Sequence, residues 1–268
     1  RPDIVHVHHE KFCRLVRLRR KRLVYTVHDL GITMQYSAGV HMAAITEAVA
    51  SDIRKRLPGA KVTTVTNGID TAAIAQRQKG TPDTFRLVQV ARLMPEKKGQ
   101  DIAIRALAIL KKRGIENVSI SFIGYGAGLE QLMQLAETEN VSERIEFAGM
   151  RDRCYIYSNL CRYDAMIHPS RYEGFGLTVA EGMAAGLPLI LTEHDGPWEV
   201  ADHGRLCLSA EKGNAESFAD AIAALMADYP AALSRAAEAL EYVGRFDIAR
   251  TIEAYDRLYK RVSHNIRD

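Results

Sequence analysis

The sequence contains no apolar run that approaches membrane-spanning length, and no stretch within its 268 residues reads as a secretory signal. A helical membrane span is thereby excluded for the sequence given, and a cytoplasmic setting is expected. Cysteine is scarce. Cys13, Cys154, Cys161 and Cys207 are the whole supply, with no C-x-x-C spacing and no paired histidine motif. They read as reduced thiols of core or helix rather than as a metal knuckle. A strong excess of one charge is also lacking. The formal net charge of +3 is too mild to imply nucleic acid, and basic residues are not interleaved with the aromatics that line single-strand grooves. No Asp-x-Asp occurs, so neutralisation by a metal is not evident. Internal repeats and low-complexity tracts are absent too. What remains is an ordinary globular composition, long enough for more than one core.

Short runs rich in β-branched residues sit at 3–8, 22–28, 41–46, 61–68, 85–92, 118–124, 144–149, 165–169 and 187–192. Helical periodicity fills 100–113, 128–139, 178–185, 214–227 and 231–243. This alternation predicts an α/β fold of doubly wound parallel sheets. The polar stretch 71–84 follows the Asn67-Gly68 turn and lacks apolar patterning, so a boundary is drawn within it, dividing 1–78 from 79–245. The tail 246–268 is helical, with Ile248, Ile252, Tyr255, Leu258 and Val262 on one stripe.

The most informative segment is Glu173-Gly-Phe-Gly-Leu-Thr-Val-Ala-Glu181. It follows an apolar run ending in Pro169. Gly174 and Gly176 allow close backbone approach to a ligand. The helix start at Leu177 and Thr178 offers N–H groups and the positive end of a dipole, a seat for a diphosphate. Glu181, one turn inside, can accept from vicinal hydroxyls such as a ribose diol, and Glu173 on the lip can hold a sugar. A second candidate site is Arg92-Leu-Met-Pro-Glu-Lys97-Lys98-Gly99, where a strand gives way to a helix. Ligands of open parallel sheets bind outside the carboxyl ends of strands, and two cations there can clamp a diphosphate.

The carboxylate, glycine loop, helix start and second carboxylate resemble the Glu-x7-Glu motif of retaining glycosyltransferases with the GT-B fold, family 4 in particular. Pro169-Ser170, Gly186-Leu-Pro-Leu-Ile and the interdomain-like Val65-Thr-Asn-Gly-Ile-Asp70 extend the resemblance over most of the chain. It implies two Rossmann-like domains facing a cleft, with the last helix crossing back to the N-terminal domain. It further implies a nucleotide diphosphate sugar, with UDP or GDP, as donor substrate and no cofactor. The acceptor is expected to be a saccharide, a lipid-linked saccharide or a small molecule. Arg92 and Lys98 match the family's Arg…Lys-Gly pair, Lys98 being favoured over Lys97 because it directly precedes Gly99. Gly124, in Gly124-Tyr-Gly126-Ala-Gly128, reads as a tight turn near the nucleotide, since Leu129 occupies the sixth position of a dinucleotide fingerprint. Met150, after Phe147-Ala-Gly149, matches the loop whose backbone meets the base. The donor set is therefore Arg92, Lys98, Gly124, Met150, Glu173, Gly174, Phe175, Gly176, Leu177, Thr178 and Glu181. The catalytic set is His28, Arg92, Lys98 and Glu173, His28 being at a cleft-facing strand end. No metal ligand is assigned.

Three expectations concern the N-terminal part. His6, His8 and His9 lack a metal geometry and are given a core or cleft-lining role. The run 11–22 carries seven cations and no acid, a surface for peripheral contact with anionic lipid headgroups or a phosphate-bearing acceptor. The domain also reads as incomplete, because the family's opening strand and glycine-rich loop have no counterpart. About a dozen residues separate His28-Asp29 from the run at 41–46, too few for the usual helical crossover. The alternatives to a transferase are a GT-B-like epimerase or phosphorylase and a Rossmann-type oxidoreductase. The broken glycine fingerprint and the lack of local support for a pyridoxal lysine disfavour the last two.

Overall fold

The computed structural model describes residues 3–15, 22–31, 39–78, 80–193 and 196–264. In chain order the elements are β1 (Val5–Val7), α1 (Glu10–Leu15), β2 (Leu23–Val27), β3 (His41–Ala44), α2 (Glu47–Arg56) and β4 (Lys61–Thr64). They continue with β5 (Phe85–Val90), α3 (Pro95–Lys98), α4 (Gln100–Lys112), β6 (Val118–Ile123), α5 (Leu129–Thr138), β7 (Ile145–Gly149) and α6 (Arg153–Asn159). Next come β8 (Ala165–His168), α7 (Leu177–Ala184), β9 (Leu189–Thr192), α8 (Gly196–Val200), β10 (Leu208–Ala210), α9 (Ala215–Ala227), α10 (Tyr229–Tyr242) and α11 (Ile248–His264).

The chain divides into two compact units, 1–69 with 245–268, and 70–244. The first holds a parallel sheet in the order β1-β2-β3-β4, with Val24 opposite His41 and Ala44 opposite Thr64. Helix α2 is capped by Thr46, whose hydroxyl accepts from the Val49 N–H at 3.2 Å, the capping bond that Thr supplies to a free helix end. Tyr255, Leu258, Tyr259 and Val262 of α11 pack on Val24, Ala43 and Val65 of this unit. The stripe drawn from sequence is corrected at its start: Ile248 and Ile252 stay exposed, at 39% and 63%. β2 and β3 pair in parallel although only residues 28–40 connect them. Of that connection 32–38 lie outside the described residues, as do 16–21 of the basic run.

The second unit holds six parallel strands in the order β10-β9-β8-β5-β6-β7. Reading from β5, the chain winds outward to β7, then returns to β8 beside β5 and winds the other way. This is the 3-2-1-4-5-6 order of a doubly wound sheet, whose switch point lies between β5 and β8. Both sheet faces are covered, as an all-parallel sheet requires. On one, Leu87, Ile120, Phe122 and Ile167 pack under α4, α5 and α9. On the other, a Cβ at Gly182 of α7 would stand 2.6 Å from Met166 Sδ.

The division between units falls nine residues before the boundary at 78 (78 − 69 = 9). Residues 70–78 are polar, yet they are bonded to the second unit. Ala75 N donates to Tyr157 O and Arg77 N to Ala185 O, both at 2.9 Å. The Arg77 guanidinium reaches Asp164 at 3.2 Å, with the two side chains only 3% and 2% exposed. Asp164 also accepts from the Arg86 N–H at 2.9 Å. A polar stretch can thus be structural rather than a linker when its charge is matched inside a fold.

Candidate nucleotide-diphosphate site

Two loops meet over the switch point of the second unit. The loop after β5 runs from Ala91 to Gly99 and carries Arg92, Lys97 and Lys98. The loop after β8 runs from Pro169 to Gly176 and carries Glu173. Gly99 joins them. Its φ is 68°, and a Cβ there would lie 2.0 Å from the Pro169 carbonyl oxygen, so only glycine fits. Arg171 ties the loops a second time, with its N–H on Lys97 O at 2.9 Å and its guanidinium bidentate on Asp101 at 2.7 Å.

Within this frame Lys98 Nζ donates to Glu173 Oε2. Lys97 turns elsewhere, its ammonium 5.3 Å from the Tyr172 ring centre. Arg92 is exposed, with Nη1 4.0 Å from Met94 Sδ. His168, at the end of β8, sits 3.9 Å from Glu173 Oε2 and hydrogen-bonds Ser170 Oγ at 3.0 Å. Burial pushes the His168 imidazole down to about 4, against the pull of Glu173. It is therefore neutral at pH 7. Burial pushes the Glu173 carboxyl up, but His168, Lys98 and Lys97 outweigh it and leave Glu173 below the ordinary carboxylate value. Since His168 carries no charge at pH 7, Lys98 and Lys97 are the cations that favour ionised Glu173 there.

Helix α7 starts in the same place. Gly176 precedes it with a φ of 85° and supplies no capping side chain; Val179 N donates to Gly176 O at 2.9 Å, while the N–H groups of Leu177 and Thr178 come before the first intrahelical bond. Leu177 is 41% exposed, and Thr178 is half-buried beside it. Phe175 is buried and packs the loop down. Gly174 does not take the positive φ that Gly176 does. Its carbonyl is approached by Gly196, where a Cβ would stand 2.2 Å away, and Gly196 N donates to Glu173 O at 3.0 Å. The second carboxylate, Glu181, lies one turn into α7. Burial raises it to about 7, Arg153 opposing in part.

The remaining donor candidates lie on the β6 and β7 ends of the same sheet edge. Gly124 N donates to Gly149 O at 2.9 Å, and a Cβ on Gly124 would meet the Ala91 carbonyl at 1.9 Å. The turn thus abuts the Arg92 loop. Met150 is 80% exposed. His28 belongs to the first unit. It follows β2, hydrogen-bonds His8 Nδ1 at 3.0 Å, and lines a cavity of about 270 Å³ with Glu10, Tyr25 and Asp29. Burial and His8 lower its pKa, Asp29 opposing. His6 bonds Tyr259 at 2.6 Å and Thr26 at 2.7 Å. Among the described residues no group of three or more His, Cys, Asp or Glu is placed to hold a metal ion. No described helix is long and apolar enough to cross a membrane. The four cysteines are free thiols.

Sequence reasoning did not single out His168, Arg171, Gly196, Gln89 or Gln100. The Gly196-Pro197 pair was a readable turn signal. The other four carry no local signature.

Two parallel-sheet α/β units, the second doubly wound and bearing this loop and helix start at its switch point, define the GT-B fold class. A family model described as Glycosyl transferases group 1 matches residues 71–241, and one described as Glycosyltransferase Family 4 matches 1–73. The chain belongs to this glycosyltransferase family. It is 34% identical over 186 residues to a glycogen synthase of Mycobacterium tuberculosis, covering 68% of this chain and 44% of that one. It is 33% identical over 217 residues to a D-inositol 3-phosphate glycosyltransferase of Mycolicibacterium smegmatis, covering 78% and 48%. The chain thus spans about half the length of the curated relatives it matches. Its fold matches HepE of Anabaena, solved in complex with UDP, at a TM-score of 0.82 and 20% identity, over 98% of this chain and 79% of that one. It matches sucrose-phosphate synthase of Thermosynechococcus elongatus at a TM-score of 0.84 and 18% identity, over 97% and 73%.

Proposed function

We propose that this chain transfers a sugar from a nucleotide diphosphate sugar, with UDP or GDP, to an acceptor hydroxyl with retention of anomeric configuration. The observation that carries the reading is the joining of Lys98, Glu173 and the uncapped start of α7 at the one switch point of the second sheet. Cleaving the anomeric C–O bond builds negative charge on the departing diphosphate. Arg92, Lys98 and the α7 N–H groups would stabilise that charge, an effect of preorganised donors that commonly dominates catalysis. Ionised Glu173 would hold sugar hydroxyls, and Glu181 the ribose diol. No metal enters this scheme, because the two cations and the helix start do its charge-neutralising work. We assign His28 of the first unit to the acceptor, a saccharide, lipid-linked saccharide or small molecule. Attack comes from the face the diphosphate leaves, with a leaving-phosphate oxygen taking the acceptor proton. To the cationic run 11–22 we assign peripheral contact with anionic headgroups, which would suit a cytoplasmic enzyme at a membrane face.

The test is donor hydrolysis screened across UDP- and GDP-sugars, with thermal protection by UDP, GDP and NAD measured alongside. Turnover of one sugar nucleotide, with protection by its diphosphate, supports transfer. Protection by NAD alone would reassign the sheet to a dinucleotide enzyme.

A further inference from the structure

Gln89 and Gln100 are buried, at 1% and 0% exposure. Each aims its amide at the main chain of one of the two cations. Gln89 Nε2 donates to the Lys98 carbonyl at 2.8 Å, and Gln100 Nε2 donates to the Arg92 carbonyl at 3.0 Å. Both partners are pure acceptors, so the nitrogen of each amide must face them. The other end of each amide, Oε1, is buried with no hydrogen-bond partner among the described residues. A buried amide with one end unmet costs stability, whereas an apolar side chain would fill the same space without that cost. The donor end is therefore what each position needs.

The two residues flank the loop they grip. Gln89 lies on the face of β5 that also carries Phe85 and Leu87, and Gln100 opens α4. Strand and helix both reach into the loop between them. Other carbonyls of that loop are also held: Leu93 O by Gly128 N at 3.1 Å, Pro95 O by Gly99 N at 3.0 Å, and Lys97 O by Arg171 N at 2.9 Å. The glutamines add the two peptide units whose side chains carry the charge.

We propose that Gln89 and Gln100 are positioning residues for the diphosphate site, fixing the Lys98 and Arg92 peptides so that both cations meet the leaving group. They act through the cations and do not touch the ligand. The inference rests on the diphosphate reading of this site. A cation displaced by a fraction of an ångström loses most where charge develops late, so the loss falls on turnover more than on ground-state binding.

The experiment compares the wild-type chain with Gln89→Met, Gln100→Met, Lys98→Met and the Gln89→Met/Lys98→Met pair. Methionine keeps the volume and removes the N–H donor. Calorimetric titration with UDP, GDP, uridine and guanosine is combined with donor turnover. Each glutamine variant should keep the wild-type circular dichroism and lose about tenfold or more in kcat. Its affinity for UDP or GDP should fall more than its affinity for the nucleoside. In the Lys98→Met background, Gln89→Met should change kcat by less than about twofold, the coupling expected of residues acting as one unit. Wild-type kcat in Gln89→Met, or a loss that adds in full to that of Lys98→Met, overturns the proposal. If Gln89→Met does not fold, the cycle of Gln100→Met with Arg92→Met applies the same criteria. A wild-type chain that binds neither UDP nor GDP defeats the site reading and this inference together. Binding with indifferent glutamine variants defeats this inference alone.

Discussion

Lys98 donates to Glu173 across the switch point, so the loop after β5 and the loop after β8 are joined by one ion pair. Both partners are largely shielded, at 16% and 22% exposure. The pair gives the site its cation in a fixed place and its carboxylate in the ionised form. A diphosphate would compete with Glu173 for Lys98 and free the carboxylate for sugar hydroxyls.

Glu173→Ala should lower kcat and alter donor-sugar preference, and it should not weaken UDP or GDP affinity, because Lys98 then loses the carboxylate that competes with the diphosphate. Lys97→Ala should be mild, because its ammonium lies over Tyr172 rather than toward Glu173. Steady-state kinetics over several sugar nucleotides checks both. A Glu173→Ala enzyme with unchanged sugar preference would move Glu173 off the sugar.

Glu181 gives a pH dependence with a definite sign. Its folded pKa of about 7 lies above the ordinary 4.5, because burial disfavours the charged form. The stability this group contributes is fully present below pH 4.5 and is lost as pH rises through 7. Glu181→Gln should therefore stabilise the ligand-free chain at pH 8 by on the order of 2 kcal/mol and leave it unchanged near pH 4. The same variant should raise the donor KM, since the neutral amide is a weaker acceptor for the diol in ground and transition states alike. Denaturant melts at the two pH values, with donor kinetics, test the two halves separately.

Arg77→Ala would leave Asp164 buried without its cation. The expected cost is about 3–5 kcal/mol of stability. Arg77→Lys should recover only part of it, because a guanidinium also reaches Gly80 O at 2.8 Å and Tyr163 O at 3.2 Å. Chemical denaturation of the two variants decides this. A cost near zero would return residues 70–78 to the status of a linker.

Donor turnover should persist in the presence of a chelator. Two cations and a helix start are expected to neutralise the diphosphate unaided. Activity abolished by chelation and restored by magnesium or manganese would contradict the scheme.

Much of the second unit was legible because its strands are short, apolar and separated by amphipathic helices. The nine runs correspond to nine of the ten described strands. β10, three residues long and containing a serine, is too brief to show a pattern. Helix α2 went unread because it buries only Val49, Ala50 and Ile53 among polar residues. The boundary was placed late because Arg77 and Asp164 are 87 residues apart, and nothing local announces their pairing. In the site, carboxylates and glycines could be found by spacing. His168 could not, since an imidazole inside an apolar run looks like any strand residue until Glu173 is folded against it. Gln89 and Gln100 were equally silent, because an amide gripping a carbonyl leaves no period or spacing in the sequence.

The most direct test of the central claim is the kcat for donor turnover of Lys98→Met, with its affinity for UDP and GDP taken on the same preparation. A cation preorganised against a developing charge is worth about 10²–10³ in rate. A fall of that order in kcat with weakened diphosphate binding is the predicted result. Wild-type kcat with unchanged affinity would contradict it, and would remove Lys98 from the mechanism.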